Sequence, residues 1–434
     1  MTSVQSSEDK VKPGTNHRVL WVTYINIVLY ALSYQLQTPV EPYLIKKLSE
    51  EAGDAEGVNT IYGNLQSMFQ TIQMVGSPVV GIILDRIGIR YTSTLVFLAS
   101  ASSYAVLAVS YDLRTLFLSK IPTVFQAAFL VAQTTAAAST GNDAAARAAA
   151  LGRMTTAYTV GATLGPILGG YLANQGDFYI GAKLAVIGSL ISVVLSLLYL
   201  TDATAEDKET TSEPSKVLKR KESFFNDLYH TGKMALRSSL WPLLTVKVIG
   251  GVVASIHSTA MPLVLTQKLL LEPSQLGMSM SSSMMAVAVF GAVGMAPLTR
   301  ILGPDRMTYT GLLGRAIFGL VMAKVVSLAT GHGDAFLMPI VSIAIAHALA
   351  SHTLATGLTT QTTGAVANDE RGALLGLEHS LFSLARIGGP KLSTFLLSLG
   401  NGIWPVETAC GMMDVLLVGG LMLASLHFSK KKSP

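Results

Sequence analysis

Windows of about twenty predominantly apolar residues recur from Val19 almost to the C-terminus, and twelve can be counted. They fall at residues 19–42, 60–84, 91–110, 115–138, 154–174 and 179–200, then at 241–265, 277–299, 308–330, 335–358, 372–398 and 404–428. A helix needs roughly twenty apolar residues to cross a hydrocarbon core. Hydrocarbon offers no partner to backbone amides, so a segment of this length satisfies its own by forming a helix. The pattern specifies an all-α polytopic membrane protein of twelve transmembrane helices. Composition agrees: 50% of the residues are apolar and 13% charged, where a soluble chain carries about 25% charged residues.

The longest polar stretch, residues 202–240, divides the windows into a first half at 19–201 and a second at 241–428, with tails at 1–18 and 429–434. Its Thr-, Glu-, Ser- and Pro-rich start is expected to be mobile. Its continuation, VLKRKESFFNDLYHTGKMAL, has enough apolar residues to lie on a membrane surface as an amphipathic helix. The tail MTSVQSSEDKVKPGTNHR lacks the pattern of a cleavable signal, so the first span is expected to direct its own insertion. Arg86, Arg90, Arg147, Lys219, Arg220, Arg300, Arg306, Arg371 and Lys430 to Lys432 all fall on the side of the termini, whereas Lys46, Lys47, Arg114 and Lys268 fall on the other. The positive-inside rule makes the first side cytosolic. The net charge of +5 therefore reports topology. The bilayer is the expected partner, and nucleic acid is not. The single cysteine, Cys410, forms no intramolecular disulfide.

The halves repeat each other. Arg147, Gly152, Gly165 and Pro166 recur at one offset as Arg371, Gly376, Gly389 and Pro390, and Gly63 and Arg86 recur as Gly277 and Arg300. Two six-helix halves in parallel repeat, with a site between them near mid-membrane, form one architecture of secondary transporters.

GIILDRIGIR, between the second and third spans, places Gly81, Asp85, Arg86, Gly88 and Arg90 at the spacing of a known signature, and the chain resembles the major facilitator superfamily. GATLGPILGG in the fifth span, through Gly161, Gly165, Pro166, Gly169 and Gly170, resembles the antiporter motif of the drug:proton exchangers. YGNLQSMFQTIQMVGSPVVG and the run ending in GATLGPILGG are similar to the organic cation transporter-like proteins of the solute carrier family 22 member 18 type. The resemblance implies the major facilitator fold. It also implies that Asp85 reaches the start of the eleventh span, where free amides and the helix dipole favour a negative charge by about 0.3 to 2 kcal/mol, and so closes an inner gate. A topogenic loop with a capping Asp is the alternative. The glycines at 161, 165 and 169 allow close helix approach, either as packing alone or as the seal between halves.

There are departures. SKIPTVFQAAF has Lys120 and Val124 where the family's fourth span carries Arg and Gly, and the second loop copy, GMAPLTRILGPDR, has Thr299 where the first has Asp85. One inner gate should therefore outweigh the other.

The resemblance places a central cavity among spans 1, 4, 7 and 10. Candidates to line it are Asn26, Tyr30, Tyr34, Gln35 and Glu41 in the first span, Lys120 and Gln126 in the fourth, Lys247 and His257 in the seventh, and His347 in the tenth. Gln66, Gln70 and Gln73 share one face of the second span, as cavity lining or as interhelical glue. In the eleventh, Glu378 and Arg386 stand two turns apart and can pair with each other. Ionisable groups inside a span mark function by default. Lys120, Lys247, Lys324, Arg386 and Lys391 outnumber Glu41, Glu378 and Asp414, which favours anions, whereas the relatives' name favours cations; the charge of the solute is left open.

The chain lacks a phosphate loop of the GxxxxGK[ST] form and the hydrolase motifs HExxH and GxSxG. The expected function is secondary transport of a small organic solute, by proton-coupled antiport, with no cofactor, no metal and no enzymatic step. A non-transporting receptor on the same fold and an uncoupled uniporter are the alternatives.

Overall fold

The structure, a computed structural model, describes residues 17–53, 57–140, 144–200, 233, 236–237, 240–329, 333–366, 371–400 and 402–432. The amphipathic helix expected within 202–240 lies outside the described residues, as does most of the N-terminal tail.

In chain order the helices are α1 (His17–Gln37), α2 (Glu41–Glu51), α3 (Val58–Ala108), α4 (Leu113–Leu118), α5 (Ala128–Ser139), α6 (Ala144–Ala173) and α7 (Ile180–Tyr199). The second half supplies α8 (Trp241–Gln267), α9 (Pro273–Val289), α10 (Met295–Ala329), α11 (Gly333–Gly364), α12 (Arg371–Ser398) and α13 (Trp404–Lys432). No strand occurs among the described residues. Nine described stretches are long and apolar enough to cross a membrane, and one of them, Pro273–Ala329, contains two of the expected spans. The two remaining expected spans fall in α6 and in α12, which carries Glu378, Arg386 and Lys391.

The helix breaks are written in the sequence. α3 and α10 each contain a sharp turn on a glycine in the left-handed region, Gly88 at φ 83° and Gly303 at φ 72°. An L side chain is disfavoured there. Both turns lie within the corresponding signature loops, one residue apart in the repeat register, so the internal repeat extends to backbone conformation. In the first span, Pro39 ends α1 early: Thr38–Val40 forms a turn and Glu41 opens α2, with Pro42 in its first turn. Pro122 breaks the fourth span, leaving a 3₁₀ helix at Ile121–Phe125 between α4 and α5. Glu41 and Lys120, expected inside continuous helices, thus stand at interruptions, the kind of irregular backbone tolerated at membrane depth where it borders a cavity.

Described hydrogen bonds between the halves gather toward the end of the bundle away from the termini. Ser67 Oγ donates to the Ile387 carbonyl at 2.7 Å, the Ile167 amide donates to Ser281 Oγ at 3.1 Å, and Asn174 Nδ2 donates to Glu272 Oε2 at 2.8 Å and to Ser274 Oγ at 2.9 Å. Tyr43 donates its hydroxyl proton to the Leu271 carbonyl in the same region. Packing follows: Leu263 of α8 joins the buried cluster of Leu44, Ile45, Leu65 and Leu116.

Candidate functional site

The interrupted helices bring a pair of opposite charges together. Lys120 Nζ lies 2.6 Å from Glu41 Oε1, with the side chains 15% and 10% exposed. Gln66 donates its amide to the other carboxylate oxygen of Glu41. The Lys120 ammonium also sits 5.8 Å from the centre of the Phe69 ring, which stacks on Tyr34. A cation near a ring face gains about 0.5 to 2 kcal/mol. These groups line a cavity of about 360 Å³ between the two halves. Eight of the residues expected to form one meet there: Tyr34, Gln35, Glu41, Gln66, Gln70, Lys120, Gln126 and Arg386. Tyr62, Tyr104 and Tyr158 also contribute from the first half, and Ser255, Ser258 and Thr259 from the second. Gln126 donates to the Tyr104 hydroxyl at 3.3 Å.

A second cavity, about 560 Å³, lies in the C-terminal half and shares Ser258, Pro262, Met280 and Met284 with the first. Its walls are mostly apolar, with Lys247, His257, Arg315, His347 and His352 as the ionisable lining. Lys247 pairs with Glu378 and donates to Thr359 Oγ1 at 3.0 Å. His257 Nδ1 stands 2.7 Å from Glu407 Oε1, and the His347 ring stacks on His257 at 3.9 Å between centroids. Arg315 grips Asp414 in two-pronged fashion, Nε to Oδ2 at 2.7 Å and Nη2 to Oδ1, and donates to the Gly250 carbonyl at 3.0 Å. Both members of that pair are almost fully buried, and such charges persist in a low-dielectric interior only when paired and hydrogen-bonded.

Several expected placements change. Asn26 is buried and donates to Ser196 Oγ of α7 at 3.2 Å, so it holds α1 to α7 and does not line the cavity. Tyr30 packs against the apolar cluster of Val96, Phe97 and Val131 and lines neither cavity. Glu378 takes Lys247 as its partner, not Arg386, because its carboxylate faces α8. Gln73 donates to the Thr123 carbonyl at 3.0 Å, tying α3 to the 3₁₀ segment, while Gln66 and Gln70 of the same face reach the cavity. Lys324 lies exposed, and Lys391 borders a groove with Asn64 and Thr71, so neither charge enters the two cavities. Arg315 and Glu407 were missed. Each is an ionisable residue within an apolar stretch, GLLGRAIFGL and WPVETACGMM, so the same signal that marked Lys247 also marks them.

The motif residues divide their contacts. The side chain of Asp85 lies outside the described set; its backbone is helical, Gly81 faces Leu130, Arg86 is exposed and Arg90 lies near the Tyr91 ring. Gly161, Gly165 and Gly169 press against Val28, Gln35 and Leu36 of α1, within the first half. Gly170 instead meets the Pro273 carbonyl, and the carbonyl of Pro166 meets Gly277, so this edge of α6 touches the other half, at α9.

Two helical halves around a shared polar cavity are the class of structure that membrane carriers use. The family model described as the Major Facilitator Superfamily matches residues 23–390, and the chain belongs to that family. It is 27% identical over 384 residues to solute carrier family 22 member 18 of Mus musculus, covering 87% of this chain and 89% of that protein. It is 24% identical over 413 residues to the class E tetracycline resistance protein of Escherichia coli, covering 93% and 94%. Among solved structures it is similar to the human organic anion transporter MFSD10 (TM-score 0.65, 18% identity, 93% of this chain and 99% of that one). The nucleoside transporter NupG is a further structural match (TM-score 0.71, 13% identity, 94% and 100%). The protein is a membrane transporter of this superfamily.

Proposed function

We propose that this chain carries a small organic solute across the bilayer by alternating access, in exchange for protons. The observation that carries the reading is the Glu41–Lys120 ion pair, set at two helix interruptions and facing a cavity lined by both halves. Protonating Glu41 removes its attraction for Lys120 and frees the ammonium and the Gln66 amide for a solute. Deprotonation restores the pair and expels the competitor. That competition is the minimal chemistry of exchange. The relatedness to a tetracycline resistance protein supports a carrier of small organic molecules.

With both termini cytosolic, this is read as the inward-facing state, and the bonds joining the halves at the far end support that reading. Pro166 and Gly170 of the antiporter-like motif serve as the outer seal against α9. Asp85, with Gly81, Arg86, Gly88 and Arg90, serves as the inner gate that closes when the cavity faces outward.

The test is reconstitution in liposomes with an imposed pH gradient and a panel of labelled organic solutes. Uptake that rises with the gradient and collapses when a protonophore dissipates it is the expected result. Flux indifferent to the gradient leaves an uncoupled uniporter, and binding without flux of any ligand leaves a receptor.

A further inference from the structure

The charges that line the two cavities do not cancel. Glu41 answers Lys120 in the interface cavity, while Lys247 and Arg315 of the second cavity are answered from behind by Glu378 and Asp414. Glu407 stands behind His257 and lines neither cavity. Arg386 is the remaining cation. Its guanidinium lines the interface cavity with Tyr34 and Tyr158, and among the described residues no carboxylate pairs with it. Its only described contact of this kind is with the Phe382 ring, 5.8 Å from the centroid.

Phe382 is itself part of the wall of the second, apolar cavity. Arg386 therefore stands where the polar cavity passes into the apolar one, beside the shared Met280 and Met284. A volume of about 560 Å³ is within the range that holds drug-sized organic molecules. Methionine walls adapt to bodies of different outline. Guanidinium favours carboxylates and related oxyanions through two parallel hydrogen bonds.

We infer that the solute is an amphipathic organic anion, its single acidic head on Arg386 and its aromatic or branched aliphatic body lodged between Phe382, Met280 and Met284. The inference rests on the reading of the interface cavity as the solute site and names the chemistry of what enters it. One negative charge offsets the cation that no described carboxylate answers, and a dication or a plain organic cation raises an already uncompensated positive charge.

The experiment uses the full chain in detergent and three probes that share one ring body: 2-naphthoate, 2-naphthamide and 2-naphthylmethylammonium. Thermal unfolding and competition binding are read for each. Naphthoate is expected to stabilise the protein saturably, with at least about tenfold tighter binding than the amide or ammonium, a difference of about 1.4 kcal/mol. Arg386→Gln is expected to abolish that preference, Arg386→Lys to retain part of it, and Arg386→Glu to transfer it to the ammonium. Equal or tighter binding of the ammonium by the native chain overturns the inference, as does binding of none of the three. Naphthoate affinity unchanged in Arg386→Gln overturns it too, and a native unfolding midpoint in that variant shows that it is folded. Liposome flux separates this from the transport reading: naphthoate bound at Arg386 but never moved defeats transport and keeps the anion site, whereas flux of the ammonium alone does the reverse.

Discussion

Lys120 and Glu41 stand 79 residues apart in the chain and 2.6 Å apart in space, each at the point where a proline interrupts its helix. Glu41→Gln and Lys120→Ala each leave one charge without its partner on the cavity wall, with an expected loss of about 1.5 to 3 kcal/mol for a partly exposed, charge-assisted hydrogen bond. Because both changes remove the same interaction, the double variant is expected to fall well short of the sum of the two losses. Thermal unfolding of the four proteins of the cycle measures this. In liposomes, Glu41→Gln is also expected to abolish the dependence of uptake on the pH gradient, and gradient-driven exchange in that variant removes Glu41 from the coupling step.

The Arg315–Asp414 pair is more deeply enclosed. Arg315→Met alone strands a buried carboxylate, and Asp414→Leu alone strands a buried guanidinium; each is expected to cost about 3 to 5 kcal/mol. Combining them replaces the pair with apolar groups and is expected to recover most of the stability. Unfolding midpoints that show no recovery would mean that the pair's geometry, and not its charge balance, holds α10 to α13.

The close passage of α6 and α9 tests the outer seal. A side chain at Gly277 would run into the Pro166 carbonyl, so Gly277→Val is expected to force the helices apart and favour the opposite state. Labelling of Ser274→Cys from outside, in a Cys410→Ser background, is expected to rise by about tenfold, the change in population that 1.4 kcal/mol produces. Conversely, a short thiol crosslinker joining Asn174→Cys to Ser274→Cys, whose native side chains are hydrogen-bonded, should arrest transport until it is cleaved. Continued turnover after complete crosslinking rules out movement at this seal.

Asp85→Asn keeps the size of the side chain and removes its charge. If the carboxylate holds the inner gate, the variant is inserted normally while turnover falls and the inward-facing population grows. Native turnover together with unchanged site-specific accessibility of the cavity would assign Asp85 to the loop alone.

The sequence by itself determined what depends on local physics. About twenty apolar residues bury their backbone amides as a helix wherever they stand, so the expected spans coincide with described helices, broken by proline only in the first and fourth, without reference to any neighbour. Gly88 needs its left-handed φ for the turn within the loop, and the glycines of GATLGPILGG announce close approach because nothing else permits it. Even Arg315 and Glu407 were readable as ionisable groups among apolar ones. Only the tertiary structure decided which charge answers which. Glu378 turns to Lys247 and leaves Arg386 for the cavity, and Asn26 turns to Ser196. It also decided that Gly161, Gly165 and Gly169 seat α1 while Gly170 meets the other half. The reason is range: insertion energy is summed along one segment, whereas an ion pair falls off with distance between segments that the chain does not place side by side until it has folded.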